Sequence, residues 1–348
     1  MPDWSIVVVG AGSFGTALAS LLADNHQSVT LVARNQEVVD EINFSHQNTR
    51  YLPGAKLNSS LQAFHDFGVV KGAKLVLFAV PSHAMRAATK EVSPHIRPDT
   101  KVVHVTKGLE VASLKRMSEV ILDELPQLSE DRLAVLSGPS HAEELSIGLP
   151  TTMVAASQSQ SMAELVQDLF MGRNLRVYTN PDVIGVELGG SLKNIIALGC
   201  GISDGLRFGD NAKAALLTRG LVEITRLGLS MGASFSTFSG LAGIGDLIVT
   251  GTSKHSRNWQ AGNLLGQGKS LEEALAKVGM VVEGVKTTQA AVRLADEYQV
   301  HMPIAEAIHQ VLFEGKSPRL AVEELMGRTK RHEVEEFIQE SALRWQYP

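Results

Sequence analysis

The sequence predicts an α/β fold, with a doubly wound, mainly parallel sheet in the N-terminal half and an all-helical domain behind it. Three observations predict it. β-rich runs alternate with helical patterns as far as residue 180. A G-x-G-x-x-G fingerprint, Gly10, Gly12 and Gly15, separates the first strand from the first helix. After Pro181 the β-branched runs almost vanish, and apolar residues recur at helical spacing.

The elements follow in order. "SIVVVG" (5–10), "SVTLVA" (28–33), "KLVLFAV" (74–80), "KVVHVT" (101–106) and "LAVLSG" (133–138) read as buried strands. The runs 151–157 and 175–180 extend the sheet at its edge. Helices are expected over 184–206, 211–230, 239–248, 257–266, 271–278, 284–299, 304–314 and 318–325. The division is therefore 1–180 for a nucleotide-binding domain, 181–330 for a helical substrate domain and 331–348 for a charged, peripheral tail.

The totals narrow the function. A chain of 348 residues, 44% hydrophobic and 20% charged, suits a soluble globular protein with a sizeable core. The net charge is -5 and no long basic run occurs, which argues against nucleic acid as a partner. The single cysteine, Cys200, fits a reducing, cytoplasmic compartment, and no Cys/His cluster has metal-site spacing. Residues 6–23 carry no charge over a spanning length. No Lys or Arg precedes them and three glycines interrupt them, so strand, turn and helix explain them better than a membrane span.

The glycine fingerprint opens the helical run "TALASLLADN". That context is the Rossmann-type dinucleotide site, with a tight turn, close backbone approach to a pyrophosphate and free N–H groups at the helix start. The second strand ends "VARNQE", so Arg34 stands where an acid would bind the ribose hydroxyl of NAD. A guanidinium suits the 2′-phosphate of NADP, and nearby Glu37 keeps NAD admissible. Pro81, Ser82 and His83 leave another strand and border the nicotinamide half; His83 reads either as an acid–base group or as a ring packed near the cofactor.

Lys107, and then Gly138, Pro139 and Ser140, sit at two further strand ends and open into the same crevice. Asp246 follows a Gly-rich turn, and Ser256, Arg257 and Asn258 open a helix, a pattern that suits a phosphate. In "ELGGSLKNIIALGCG", Leu188, Leu192, Ile195, Gly199 and Ile202 share a core face. Lys193 points onto a stripe of Gly189, Gly190, Ala197 and Cys200, with no carboxylate at i+3 or i+4. It reads either as a snorkelling lysine or as a catalytic lysine facing a ligand for which the small stripe leaves room.

These stretches resemble the bacterial NAD(P)-dependent glycerol-3-phosphate dehydrogenases. The resemblance rests on "GAGSFGTALA", "AVPSHAMR", "TKGLE", "SGPSHAEE", "ELGGSLKNIIALGCGISDGL", "GLAGIGDLIVTGTSKHSRN", "VVEGVKT" and "MPIAEAI", in the family's order from about residue 5 to about 328. It implies reduction of dihydroxyacetone phosphate to sn-glycerol 3-phosphate with NADPH favoured over NADH, in a possible homodimer serving phospholipid biosynthesis. It implies that Lys193 is catalytic. Ser13, Phe14, Arg34, Ala142, Val281 and Glu283 join Gly10, Gly12 and Gly15 as cofactor contacts. Gly138, Ser140, Lys193, Asp246, Ser256 and Asn258 would hold the substrate, and Lys107 and Arg257 both ligands. "TGTS" stands where many relatives have "TCTS". Two rivals share the first domain: a 6-phosphogluconate or hydroxyacyl-CoA type of dehydrogenase, and a non-enzymatic NAD(P) sensor. "GIGD" with "SRN" suits a small phosphate ester, and a sensor has no need of Lys107, Lys193 and Asp246 together.

Overall fold

The computed structural model describes residues 4–329 apart from His26; the tail expected over 331–348 lies outside the described residues. Eight strands form one sheet: β1 (Ser5–Val9), β2 (Ser28–Val32), β3 (Gln62–Phe64), β4 (Leu75–Phe78), β5 (Lys101–His104), β6 (Leu133–Ser137), β7 (Thr151–Ala156) and β8 (Leu175–Asn180). Their order is β3-β2-β1-β4-β5-β6-β7-β8. All neighbours are parallel except β6 and β7. The chain leaves β1 for β2 on one side and returns to β4 on the other, which opens the ligand crevice at that switch. Edge strand β3 was not expected: three residues are too few to show alternation, and pairing with β2 defines it.

Helices α1 (Ser13–Asp24), α2 (Gln36–Ser45), α3 (Met85–Val92), α4 (Met117–Glu124), α5 (Ala142–Ser146) and α6 (Gln160–Phe170) connect the strands. Alternate residues of β1 serve opposite faces. Ile6 and Val8 pack with Leu18 and Leu22 of α1, while Val7 and Val9 pack with Met85 of α3 and Ile121 of α4. A sheet buried on both faces is what continuous runs such as "IVVV" specify.

The helical half comprises α7 (Val183–Gly205), α8 (Asp210–Ser230), α9 (Phe235–Phe238), α10 (Asp246–Thr252), α11 (Arg257–Gly266), α12 (Leu271–Val278), α13 (Glu283–Glu297), α14 (Pro303–Phe313) and α15 (Pro318–Met326). α7 is the hub, and every residue from Gly185 to Ser203 is buried. It is the one helix among the described residues long and apolar enough to cross a membrane, but 89% of its most apolar window is buried inside the protein. α11 lies almost in backbone contact with it. A Cβ on Gly201 would fall 2.1 Å from the Trp259 carbonyl oxygen, and one on Gly262 2.1 Å from that of Leu198.

Two expectations are corrected. The helix read over 239–248 is not continuous: α9 ends before it at Phe238, a π-helical turn occupies Leu241–Gly245, and α10 begins only at Asp246. Gly243 permits the wide turn, since its Cβ would lie 2.1 Å from the Phe238 carbonyl oxygen. The small stripe beside Lys193 is not room for a ligand at its glycines. A Cβ on Gly189 would meet the Ala242 carbonyl oxygen at 2.5 Å, and one on Gly190 would meet Ser137 Oγ at 2.8 Å. The stripe admits the 241–245 turn and the end of β6 instead.

A buried ionic knot ties α7 to the sheet domain. Glu187 accepts hydrogen bonds from Ser118 N (2.8 Å), Ser118 Oγ (2.6 Å) and Arg116 (2.6 Å). Burial alone would raise its carboxyl; the adjacent His104 ring, Arg116 and Ser118 outweigh that and bring it from 4.5 to about 2. A depressed carboxylate stabilises the fold above its unfolded pKa and loses that contribution as pH falls toward about 2. Glu187→Ala, which removes the buried carboxylate and leaves half-buried Arg116 only the more exposed Glu119 as an acidic partner, is expected to lower stability by about 3–5 kcal/mol in urea denaturation at pH 7. A loss within experimental error would show that the knot contributes nothing.

Candidate active site

The broken turn delivers Asp246 beneath α7, and two lysines share its carboxylate. Lys193 Nζ donates to Oδ1 at 2.6 Å, and Lys107 Nζ donates to Oδ2 at 2.8 Å. Asp246 is 1% exposed and Lys193 5%. Lys193 also donates to Thr250 Oγ, whose own proton goes to the Asp246 carbonyl. Lys107, just past β5, donates to the Gly138 carbonyl at 2.8 Å as well, and so does Ser140 Oγ at 2.9 Å. Gly138 takes φ +122°, a conformation that aims its carbonyl at both donors and suits glycine alone.

The charges set the chemistry. Burial alone would raise the Asp246 carboxyl, but Lys107 and Lys193 outweigh it and hold the group below its usual range. Burial pushes the Lys193 ammonium down to about 8, against the pull of Asp246 and with the repulsion of Lys107. An amine poised there releases and recovers a proton near neutrality, as an acid–base group must. A snorkelling lysine keeps its ammonium in water, whereas this one is enclosed with a partner on each side.

Ser256 caps α11, accepting from Trp259 N at 3.2 Å. Arg257, the first residue of α11, is half-buried and has no hydrogen bond or ion pair among the described residues. Burial lowers it, while Glu143 and Glu283 pull the other way. Asn258 is largely taken up in structure: its amide donates to Asn194 Oδ1 (2.9 Å) and accepts from Gly284 N (2.9 Å), joining α7, α11 and α13.

On the cofactor side, Gly10 takes φ +115° and a Cβ on Gly15 would lie 2.0 Å from the Gly10 carbonyl oxygen, whereas a Cβ on Gly12 meets nothing within 4 Å. That open face, beside the free N–H groups at the start of α1, fits a pyrophosphate. Ser13 Oγ is committed to the Tyr51 carbonyl, so only its backbone remains for a ligand. Phe14 packs against the core and Ala142 is buried at the start of α5. Arg34 is exposed just past β2, and Val281 is exposed just before α13. Glu283 turns its carboxylate to the loop after β4, accepting from Ser82 N (3.0 Å) and Ser82 Oγ (2.6 Å).

Sequence reasoning missed Thr250, Asn194 and His141. Thr250 stands at i+4 from Asp246, so helical spacing alone aligns the two. The His141 ring lies near Lys193; burial, then the Lys193 charge, lowers its pKa. Because Asp246 opposes the depression of Lys193, Asp246→Asn is expected to carry the Lys193 amine below about 8. The pH dependence of its acylation rate, followed by mass spectrometry, measures this; an unchanged midpoint would remove the carboxylate from control of the lysine.

The comparisons agree with this geometry. Residues 5–163 match the family model described as the NAD-dependent glycerol-3-phosphate dehydrogenase N-terminus, and residues 182–323 match that of its C-terminus. The glycerol-3-phosphate dehydrogenase [NAD(P)+] of Bacillus velezensis is 55% identical over 334 residues, covering 96% of this chain and 97% of that protein. That of Bacillus subtilis is 54% identical with the same coverage. The crystal structure of glycerol-3-phosphate dehydrogenase from Coxiella burnetii superposes with a TM-score of 0.89 at 40% identity, over 94% of this chain and 99% of that one. Likeness on this scale, spread over both halves of the molecule, means that the chain belongs to the NAD(P)-dependent glycerol-3-phosphate dehydrogenase family of oxidoreductases.

Proposed function

We propose that the protein reduces dihydroxyacetone phosphate to sn-glycerol 3-phosphate, reversibly, with Lys193 as the acid–base residue. The observation that carries this is the enclosed Lys193, brought down to about 8 and fixed by Asp246 and Thr250 beside Lys107. When bound, NADPH or NADH supplies the hydride that arrives at C2 of the ketone. Gly10, Gly12, Ser13, Phe14, Gly15, Arg34, Ala142, Val281 and Glu283 border the cofactor in this reading, with residues 1–180 forming its domain.

The chain's own work is positioning and proton transfer. Lys193 donates a proton to the ketone oxygen as negative charge develops there, and takes it from the hydroxyl in reverse. Asp246 and Thr250 hold the amine in place before and after that transfer. Lys107, on the other oxygen of Asp246, offsets the oxyanion. Unpaired Arg257, with the first N–H groups of α11 and the Ser256 hydroxyl, grips the phosphate, while Gly138, Ser140 and Asn258 complete the wall. Reduction needs the ammonium form, so its rate falls as pH rises through about 8, and oxidation gains over the same interval.

A cytoplasmic location, a homodimer and the supply of glycerophospholipid backbones belong to the same proposal and rest on family likeness. The direct test is oxidation of NADPH and of NADH by the purified protein with dihydroxyacetone phosphate; no turnover with either, in protein that binds NADPH, would overturn the substrate. Lys193→Ala is expected to cut turnover by about 10²–10⁴-fold with cofactor affinity retained, and near-normal turnover would remove it from the chemistry. Arg34→Asp is expected to shift preference from NADPH toward NADH; an unchanged ratio of kcat/KM would show that Arg34 does not read the 2′-phosphate.

A further inference from the structure

We infer that Lys286 is a second specificity residue for the cofactor, reaching from the helical domain to bind the 2′-phosphate together with Arg34. The inference rests on the proposed cofactor site and extends it across the crevice.

The first turn of α13 is pinned to the loop after β4, because both oxygens of Glu283 accept from Ser82, whose neighbour is His83. Lys286 stands three residues beyond Glu283, one helical turn further on the same side. Arg34 approaches from the other direction. It follows β2, and both β2 and β4 pair with β1, so the two strand ends lie roughly 10 Å apart, within reach of long side chains. The His83 ring registers both. Partial burial and then Lys286 lower its pKa, Glu283 opposes them, and Arg34 lowers it further. Charges on both domains, Lys286 and Arg34, thus act on one imidazole.

Neither cation is neutralised. Among the described residues, Arg34 and Lys286 make no hydrogen bond or ion pair, and the carboxylate nearest Lys286 in sequence is turned to Ser82. Arg34 follows β2, whose end in a Rossmann-type site faces the adenosine ribose, and the Glu283–Ser82 contact brings the first turn of α13, with Lys286, to the loop after β4. A phosphate monoester there carries about −1.5 to −2 charges at neutral pH, which matches the pair. The hydroxyl of NADH in the same place gains nothing comparable from them.

The test compares Lys286→Gln, Lys286→Arg and Arg34→Gln in the full chain. In Lys286→Gln, kcat/KM with NADPH is expected to fall roughly tenfold while the value with NADH moves by less than about twofold. Lys286→Arg is expected to retain the preference. Calorimetric titration with 2′,5′-ADP and with 5′-AMP, which differ only in the 2′-phosphate, reads the same contact without turnover, and only the former is expected to weaken. Equal losses with both cofactors would assign Lys286 to the shared pyrophosphate and overturn the inference; so would no loss with either. A selective loss in Arg34→Gln with none in Lys286→Gln would leave the cofactor reading standing and remove Lys286 alone. A selective loss in Lys286→Gln with none in Arg34→Gln would support Lys286 and remove Arg34 from that reading.

Discussion

The shared carboxylate of Asp246 is where the sheet domain and the helical domain meet chemically. Lys107 comes from the end of β5 and Lys193 from the middle of α7, and each takes one oxygen of a side chain delivered by α10. Two ammoniums and one carboxylate leave a net positive charge in a nearly dry place. Such an arrangement is tolerable only because each buried group has partners: Thr250 and the Gly138 carbonyl take up further protons of the lysines. The same geometry lowers the pKa of Lys193, since burial and a neighbouring cation favour its neutral form while the carboxylate opposes them.

That constraint reaches back into the packing. Asp246 can sit under α7 only if the backbone before it comes very close, and Gly189 admits the Ala242 carbonyl where a side chain would exclude it. α11 approaches the other end of α7 through Gly201 and Gly262, which brings Ser256 and Arg257 toward the same crevice. Glu187 holds α7 to α4, so the hub helix is fixed relative to the sheet that positions Lys107. Dispersion contacts fill this glycine-seamed interface, and a single added methyl group at these positions would force the backbones apart.

The crevice between the halves is held from its other side by Ser82 and Glu283. Among the described residues, Arg34, Arg257 and Lys286 make no hydrogen bond or ion pair. An unneutralised cation in a half-buried setting is tolerable where an anionic ligand completes it. The distribution of charge thus divides in two: a satisfied, buried triad, to which the proposed function gives proton transfer, and unpaired cations, to which it gives phosphate groups.

Much of this was written in local patterns. Alternating β and helical periods specified the seven longer strands, the first helix and most helices of the second half, because buried strands and amphipathic helices carry their burial in sequence order. The glycine fingerprint marked the first turn, since only glycine fits Gly10 at φ +115° and Gly15 against the Gly10 carbonyl. Lys193 was visible as an anomaly in an apolar helix, and its motif as a resemblance. Other features depend on contacts between residues far apart in the chain. Nothing near Lys193 in sequence announces Asp246, 53 residues away, or Lys107 on the opposite domain. The small stripe invited a ligand, and tertiary packing filled its glycines with backbone instead. Edge strand β3, the break before Asp246, and the turning of Glu283 toward Ser82 were likewise decided by neighbours that no local window contains. Sequence by itself determined which elements form and which residue types were available for chemistry. Only the tertiary structure decided which charges meet, because pKa values and pairing depend on distance and burial rather than on order along the chain.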